Sequence, residues 1–173
     1  MAILILGGAR SGKTSHALSR AERLAQAGDR RRVMIATAEA LDDEMRDRIA
    51  RHRAERSEGW TTLEAPLDLA GVLSGLTPGD VAVVDCLTLW LSNLMAADRD
   101  IDAEVAALCD AVAACPAELL LVSNEVGWGV VPDNALARAF RDHAGRLHQR
   151  LAVVADEAVL VVAGRALPLK GAS

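Results

Sequence analysis

Short runs rich in Val, Ile and Leu occur at Ala2 to Leu6, Arg32 to Ala36, Val81 to Val84, Leu119 to Val122 and Ala158 to Val162. They lack the polar alternation of a half-exposed strand and read as strands buried on both faces. Between them, apolar residues recur with helical spacing over Lys13 to Ala27, Asp42 to Arg56, Leu87 to Ala97, Asp102 to Cys115 and Leu136 to Val154. Strand and helix alternate, with crossovers long enough to reverse direction. The pattern therefore predicts an α/β fold with a mostly parallel sheet and helices on both faces. Turn signals at Ala27-Gly28-Asp29, Thr77-Pro78-Gly79-Asp80 and Val131-Pro132-Asp133-Asn134 separate the units.

Composition narrows the partners. A chain of 173 residues, 51% hydrophobic and without linker or repeat, is expected to form one domain over residues 1–173. Its net charge of −5 argues against a nucleic-acid binder, and an aromatic content of 2% leaves little for base stacking. Cys86, Cys109 and Cys115 contain no CxxC pair, so neither a disulfide framework nor a zinc site is indicated. The most apolar stretch, around Val81 to Met95, is interrupted by Asp85, Ser92 and Asn93, so membrane insertion is not expected. The apolar Met1 to Leu6 is too short for a signal-peptide core, and a cytoplasmic location is expected.

The strongest motif is Gly7-Gly8-Ala9-Arg10-Ser11-Gly12-Lys13-Thr14, which fits GxxxxGK[ST] directly after a predicted strand. Glycines let successive backbone N–H groups converge on phosphates, and the following helix aims its positive dipole end at the same anion. Lys13 is placed to reach the outer phosphates, and the Thr14 hydroxyl to hold Mg2+. A P-loop nucleotide-binding fold follows. The metal also needs a carboxylate at the end of a neighbouring strand, and Asp85 closes Val81 to Val84. A strand-end turn aspartate is the alternative.

Three further features bear on the reaction. Arg48, His52 and Arg56 stand four residues apart and share a helix face, although a solvated helix with acids early and bases late explains the same spacing. Asn124 and Glu125 follow the strand Leu119 to Val122, at the mouth of the cleft or in an ordinary glycine loop. The helix Leu136 to Val154 carries a polar face with Arg138, Arg141, Asp142, Arg146 and Gln149.

These stretches together carry a family resemblance: the phosphate loop, Leu41-Asp42-Asp43-Glu44-Met45, Arg48-Ile49 with His52-Arg53, Val84-Asp85-Cys86-Leu87-Thr88, Asn124-Glu125-Val126-Gly127 with Gly129 and Pro132, Phe140-Arg141-Asp142, and Ala155-Asp156-Glu157. The chain resembles the bifunctional adenosylcobinamide kinases and adenosylcobinamide-phosphate guanylyltransferases of cobalamin synthesis. His148 departs from the family pattern, which has Asn before the Gln149 match.

The resemblance implies two steps. ATP or GTP phosphorylates the aminopropanol hydroxyl of adenosylcobinamide, and GTP then donates GMP to adenosylcobinamide phosphate with release of pyrophosphate. It implies a guanylylated histidine at His52, with catalysis shared by Lys13. It further implies nucleotide contacts at Gly8, Ala9, Arg10, Ser11, Gly12, Lys13, Thr14 and Ser15, at Thr37, Ala38 and Glu39, at Arg53, Ala54, Glu55 and Arg56, and at Glu64 and Asp85. The metal residues would be Thr14 and Asp85. The family precedent for assembly is a homotrimer.

Elementary chemistry favours His52 on its own account. An imidazole with a pKa of about 6.5 is largely neutral at pH 7 and attacks phosphorus without a separate base. Arg48 and Arg56 would neutralise the approaching anion. His16, His143 and His148 lack a comparable cation pair and read as structural or solvated. The rival readings are a kinase of another small molecule without a covalent histidine, and a non-catalytic GTP switch. The absence of an NKxD-type guanine-reading motif counts against the switch.

Overall fold

The run Ala2–Gly7 becomes β1, and all six of its residues are buried. A strand with two apolar faces must lie inside a sheet. In the computed structural model, which describes residues 1–38 and 59–171, β1 is flanked on both sides. The other strands are β2 (Arg31–Ala36), β3 (Trp60–Glu64), β4 (Asp80–Asp85), β5 (Glu118–Asn124), β6 (Glu157–Val162) and β7 (Arg165–Lys170). They form one sheet in the order β3-β2-β4-β5-β1-β6-β7, parallel except for β7. Its helices are α1 (Lys13–Gly28), α2 (Leu69–Ser74), α3 (Leu87–Ala96), α4 (Ile101–Ala114) and α5 (Ala135–Val154). The predicted helix over Asp42 to Arg56 lies outside the described residues.

Side-chain alternation along the strands splits the core in two. Leu4, Val84, Leu119 and Leu121 face α2 to α5, where Leu73, Trp90, Leu108, Leu147 and Leu151 cover them. Ile3, Ile5, Val83, Leu120 and Val122 face α1, which meets them with Ala17, Ala21 and Ala25. That alanine stripe recurs every four residues and so lines one side of the helix. Small side chains there let the helix axis lie close to the sheet.

The mostly parallel sheet with helices on both faces is therefore as expected, and each predicted strand and each predicted helix within the described residues is present. Two strands and a helix were not foreseen. β3 is a half-exposed edge strand whose signal was only the β-favouring residues Trp60, Thr61 and Thr62. β7 is exposed along its whole length and contains Pro168, which reads against a strand but is tolerated at a sheet edge. α2 has six residues, too few to show a helical period.

The turn before β4 shows how one carboxylate organises a strand entry. Asp80 is 1% exposed. It accepts from Arg31 Nε and Nη2 at 2.7 and 3.1 Å, and from the Thr77 N–H and hydroxyl at 2.8 and 2.9 Å. The Arg31 hydrogen bonds, assisted by Thr77, outweigh burial and hold the carboxyl below its ordinary range. A depressed folded pKa stabilises the fold above the unfolded value of about 3.9, and that contribution is lost as pH falls through the folded value. Asp80→Asn should lower stability at pH 7 by about 1–3 kcal/mol. Urea unfolding across acidic pH should show a shallower acid loss for the variant than for the wild type.

Candidate nucleotide site

Between Gly7 and Lys13 the chain reverses through two left-handed residues, Arg10 at φ 56° and Gly12 at φ 92°. Left-handed geometry suits Gly12, which has no Cβ. Space is also tight, since a Cβ there would lie 3.2 Å from the Gly164 Cα. At Gly7 a Cβ would meet Ser11 Oγ at 2.4 Å and the Val161 carbonyl oxygen at 2.7 Å. Three hydrogen bonds fix the turn. The Ser11 N–H donates to the Gly8 carbonyl at 3.2 Å, the Gly164 N–H to the Ser11 carbonyl at 2.8 Å, and the Glu125 N–H to the Gly7 carbonyl at 3.0 Å. The loop is thus held on one side by the β6–β7 turn and on the other by the end of β5.

Lys13 is buried, and its Nζ donates to the Gly8 carbonyl at 3.0 Å, which folds the ammonium back over the loop. Thr14, Gly8, Ser11 and Gly12 are half-buried, whereas Ala9, Arg10 and Ser15 are exposed. The helix ends indicate what the loop is suited to hold. Asp68, Asn134 and Asp100 cap α2, α5 and α4 by accepting from Gly71, Ala137 and Ala103 N–H groups. Helix α1 begins with no side-chain cap and no acid in its first turn. Helix α3, which starts two residues beyond Asp85, also lacks a side-chain cap. Free N–H groups at a helix start attract an anion, and a phosphate chain fits the first of these positions.

Asp85 closes β4 as expected, but β4 is not beside β1, because β5 lies between them. The carboxylate therefore stands two strands from the loop rather than on an adjacent one. Glu64 is exposed at the end of β3, with β2, β4 and β5 between it and β1. Ala36 pairs with both Glu64 and Asp85, so all three positions are level at the carboxyl edge of the sheet. Thr37 is fully buried, and its hydroxyl accepts from the Cys86 N–H at 2.9 Å and donates to the Cys86 carbonyl at 2.8 Å. That side chain fastens β2 to the segment after Asp85. Ala38 is half-buried; Glu39, Arg48, His52, Arg53, Ala54, Glu55 and Arg56 lie outside the described residues.

Asn124 is better placed than the sequence suggested. It pairs with Gly7 across the β1–β5 ladder, and strand alternation puts its side chain on the face of Val122 and α1. Its Nδ2 donates to Thr88 Oγ1 at 2.8 Å and lies 3.9 Å from the Cys86 Sγ. The Cys86 thiol is pushed up by burial and by the charge of Asp85, while the Lys13 charge opposes them. Asp85 and Asn124 thus lie beside Cys86. The β6–β7 turn, which supports the loop at Ser11 and Gly12, was missed with β7; its one sequence cue is Gly164 after an apolar run.

Behind the edge, Ser123 and Glu125 point to the opposite face, toward α5. His148 is buried there, sharing a hydrogen bond of 2.7 Å between its Nε2 and Ser123 Oγ, with its Nδ1 3.8 Å from Glu125 Oε2. Glu125 Oε1 in turn accepts from the Gly127 N–H at 2.6 Å. The structural reading of this histidine fits its burial. His16 is half-buried on α1, with its pKa lowered by burial and then by Arg20 and Arg23.

Comparison with known proteins bears on the family and the fold. The model of the CobU family, described as cobinamide kinase / cobinamide phosphate guanyltransferase, matches residues 3–169. The chain is similar to the bifunctional adenosylcobalamin biosynthesis protein CobP of Pseudomonas aeruginosa, at 48% identity over 97% of this chain and 96% of that one. It is also similar to the bifunctional adenosylcobalamin biosynthesis protein CobU of Salmonella typhimurium, at 43% identity over 98% of this chain and 100% of the relative. Among solved structures, an ATPase domain superposes with a TM-score of 0.51 at 14% identity, over 92% of this chain and 68% of that one. That likeness bears on the fold alone.

Burial lowers the His148 pKa, with Glu125 pulling the other way. The folded imidazole is therefore neutral where the unfolded one takes up a proton, below about 6.5. Its contribution to stability is complete above that value and is lost as pH falls from there toward the folded pKa. Urea midpoints measured between pH 7.5 and 5.5 should fall for the wild type and change less for His148→Gln.

Proposed function

The chain belongs to the cobinamide kinase / cobinamide phosphate guanyltransferase family, a transferase family, and from that premise we propose how its residues divide the two reactions. The observation that carries the reading is the phosphate loop itself. An uncapped, acid-free helix start lies behind a left-handed glycine turn with a buried lysine folded over it. The triphosphate of ATP or GTP lies along residues Gly8 to Ser15, and Lys13 leaves the Gly8 carbonyl to bind the outer phosphates. The residues that would hold Mg2+ are Thr14, through its hydroxyl, and Asp85, through its carboxylate. A bound Mg2+ would spread the charge that develops on the phosphate oxygens.

In the kinase step the aminopropanol hydroxyl of adenosylcobinamide attacks the terminal phosphorus. A new O–P bond forms, the bond to the bridging oxygen breaks, the nucleoside diphosphate leaves, and the hydroxyl proton passes to solvent. In the second step His52 attacks the α phosphorus of GTP and pyrophosphate leaves. The phosphate of adenosylcobinamide phosphate then displaces the imidazole to give adenosylcobinamide-GDP. A neutral imidazole suits both halves, as nucleophile and as leaving group. Thr37, Ala38 and Glu39 after β2, Arg53 to Arg56, and Glu64 supply the remaining nucleotide contacts in this reading.

We assign the whole chain to one domain. No described helix is long and apolar enough to cross a membrane. The reading includes a cytoplasmic enzyme that assembles as a homotrimer, for which the mass in solution is the check.

Lys13→Ala should reduce both activities by at least about 100-fold, as expected for loss of a cation that meets transition-state charge. Product formation from adenosylcobinamide with ATP or GTP, followed by mass spectrometry, measures it. Phosphoryl transfer retained near wild-type rates would rule out the role given to Lys13. His52→Ala should keep the kinase step and lose the guanylyl step. GTP labelled at the α phosphorus should leave an acid-labile label on the wild type and none on that variant; equal labelling of the two would exclude His52.

A further inference from the structure

On the face of the sheet opposite α1, α3 and the start of α5 leave a cavity of about 660 Å³, a size usual for small-molecule sites. Met95, Val126, Leu136 and Phe140 make its lining largely apolar, with Ser92 and Arg141 as polar groups at its wall. Its two walls descend from the strand ends that carry the nucleotide site. Helix α3 begins just beyond Asp85, and Asn93, next to Ser92, donates from Nδ2 to the Thr37 carbonyl at 2.8 Å. The other wall starts at Val126, directly after Glu125, whose N–H is bonded to the Gly7 carbonyl of the phosphate loop. Near it the loop displays Trp128 and Val130, 76% and 95% exposed.

An apolar cavity is a poor seat for a triphosphate, whose charges need hydration or cations. Its walls run on along the chain from Glu125, bonded to the phosphate loop, and lie beside Asn93, bonded to Thr37. This makes it a seat for the acceptor, which must bring a hydroxyl to the outer phosphate while its bulk lies elsewhere. We infer that this cavity receives the corrin macrocycle of the acceptor substrate, with the apolar ring against Val126, Leu136 and Phe140 and ring-edge amide carbonyls accepting from the Arg141 guanidinium. The inference rests on the transferase reading above and adds to it the place of the acceptor. The competing occupant is a second copy of this chain.

The test uses the full chain with dicyanocobinamide in equilibrium dialysis, a fluorescent GTP analogue for the nucleotide, and light scattering for mass. Ala137→Phe fills the cavity from the first turn of α5. It should weaken cobinamide binding by about 10-fold or more, with nucleotide affinity and mass unchanged. Should that variant fail to fold, Phe140→Ala removes an apolar wall and should weaken cobinamide binding in the same selective way. Wild-type affinity for cobinamide in a folded variant would overturn the inference. So would a change in mass with cobinamide affinity kept, which would make the face a subunit contact. If the wild type itself bound no cobinamide, the transferase reading would fall, and this inference with it.

Discussion

Parallel pairing of β1 with β5 on one side and β6 on the other is the constraint on which the rest of the structure depends. It places Gly7, Asn124 and Val161 level at one edge of the sheet. From that edge the phosphate loop departs with its first carbonyl fixed by the Glu125 N–H and its Gly7 pressed against Val161. The same parallel arrangement brings Asp85 to the edge through β4. In an open parallel sheet every strand delivers its last residue to one side, so chemistry assembled there needs no further device to bring it together.

Two kinds of helix start result. Those of α2, α4 and α5 are satisfied by their own Asp or Asn side chains. Those of α1 and α3 are not, and they follow the strands that end at Gly7 and Asp85. Helix starts left without a side-chain acceptor sit where an anion would supply one. Local capping thus serves stability at the starts of α2, α4 and α5, whereas in the proposed reading the donors at the start of α1 serve the phosphates.

Much of this was legible in the sequence because its signals are local. GxxxxGK[ST] after an apolar run states both the loop and its position, and Val81 to Asp85 states a buried strand with a carboxylate at its end. What was illegible depends on distant partners. β3 and β7 become strands only by having β2 and β6 to pair with, and the exposed, Pro168-containing sequence of β7 gives no core-facing pattern. The intervention of β5 between β1 and β4 is a matter of topology, which periodicity does not encode. Asn124 gains its place from register with Gly7, and the buried His148 from Ser123 on another element. In each case the residue type was visible and the neighbour was not.

The hydrogen bond from the Gly164 N–H to the Ser11 carbonyl joins segments far apart in the sequence. The N–H of Ala2 likewise donates to Asp156. The phosphate loop is synthesised well before β6 and the turn after it, which complete its scaffold. Contacts so far apart in sequence are slow to form, because the intervening chain must first be closed into a loop. A nascent polypeptide thus carries the motif long before it has the shape that motif requires, and nucleotide capture becomes a report that the sheet has closed.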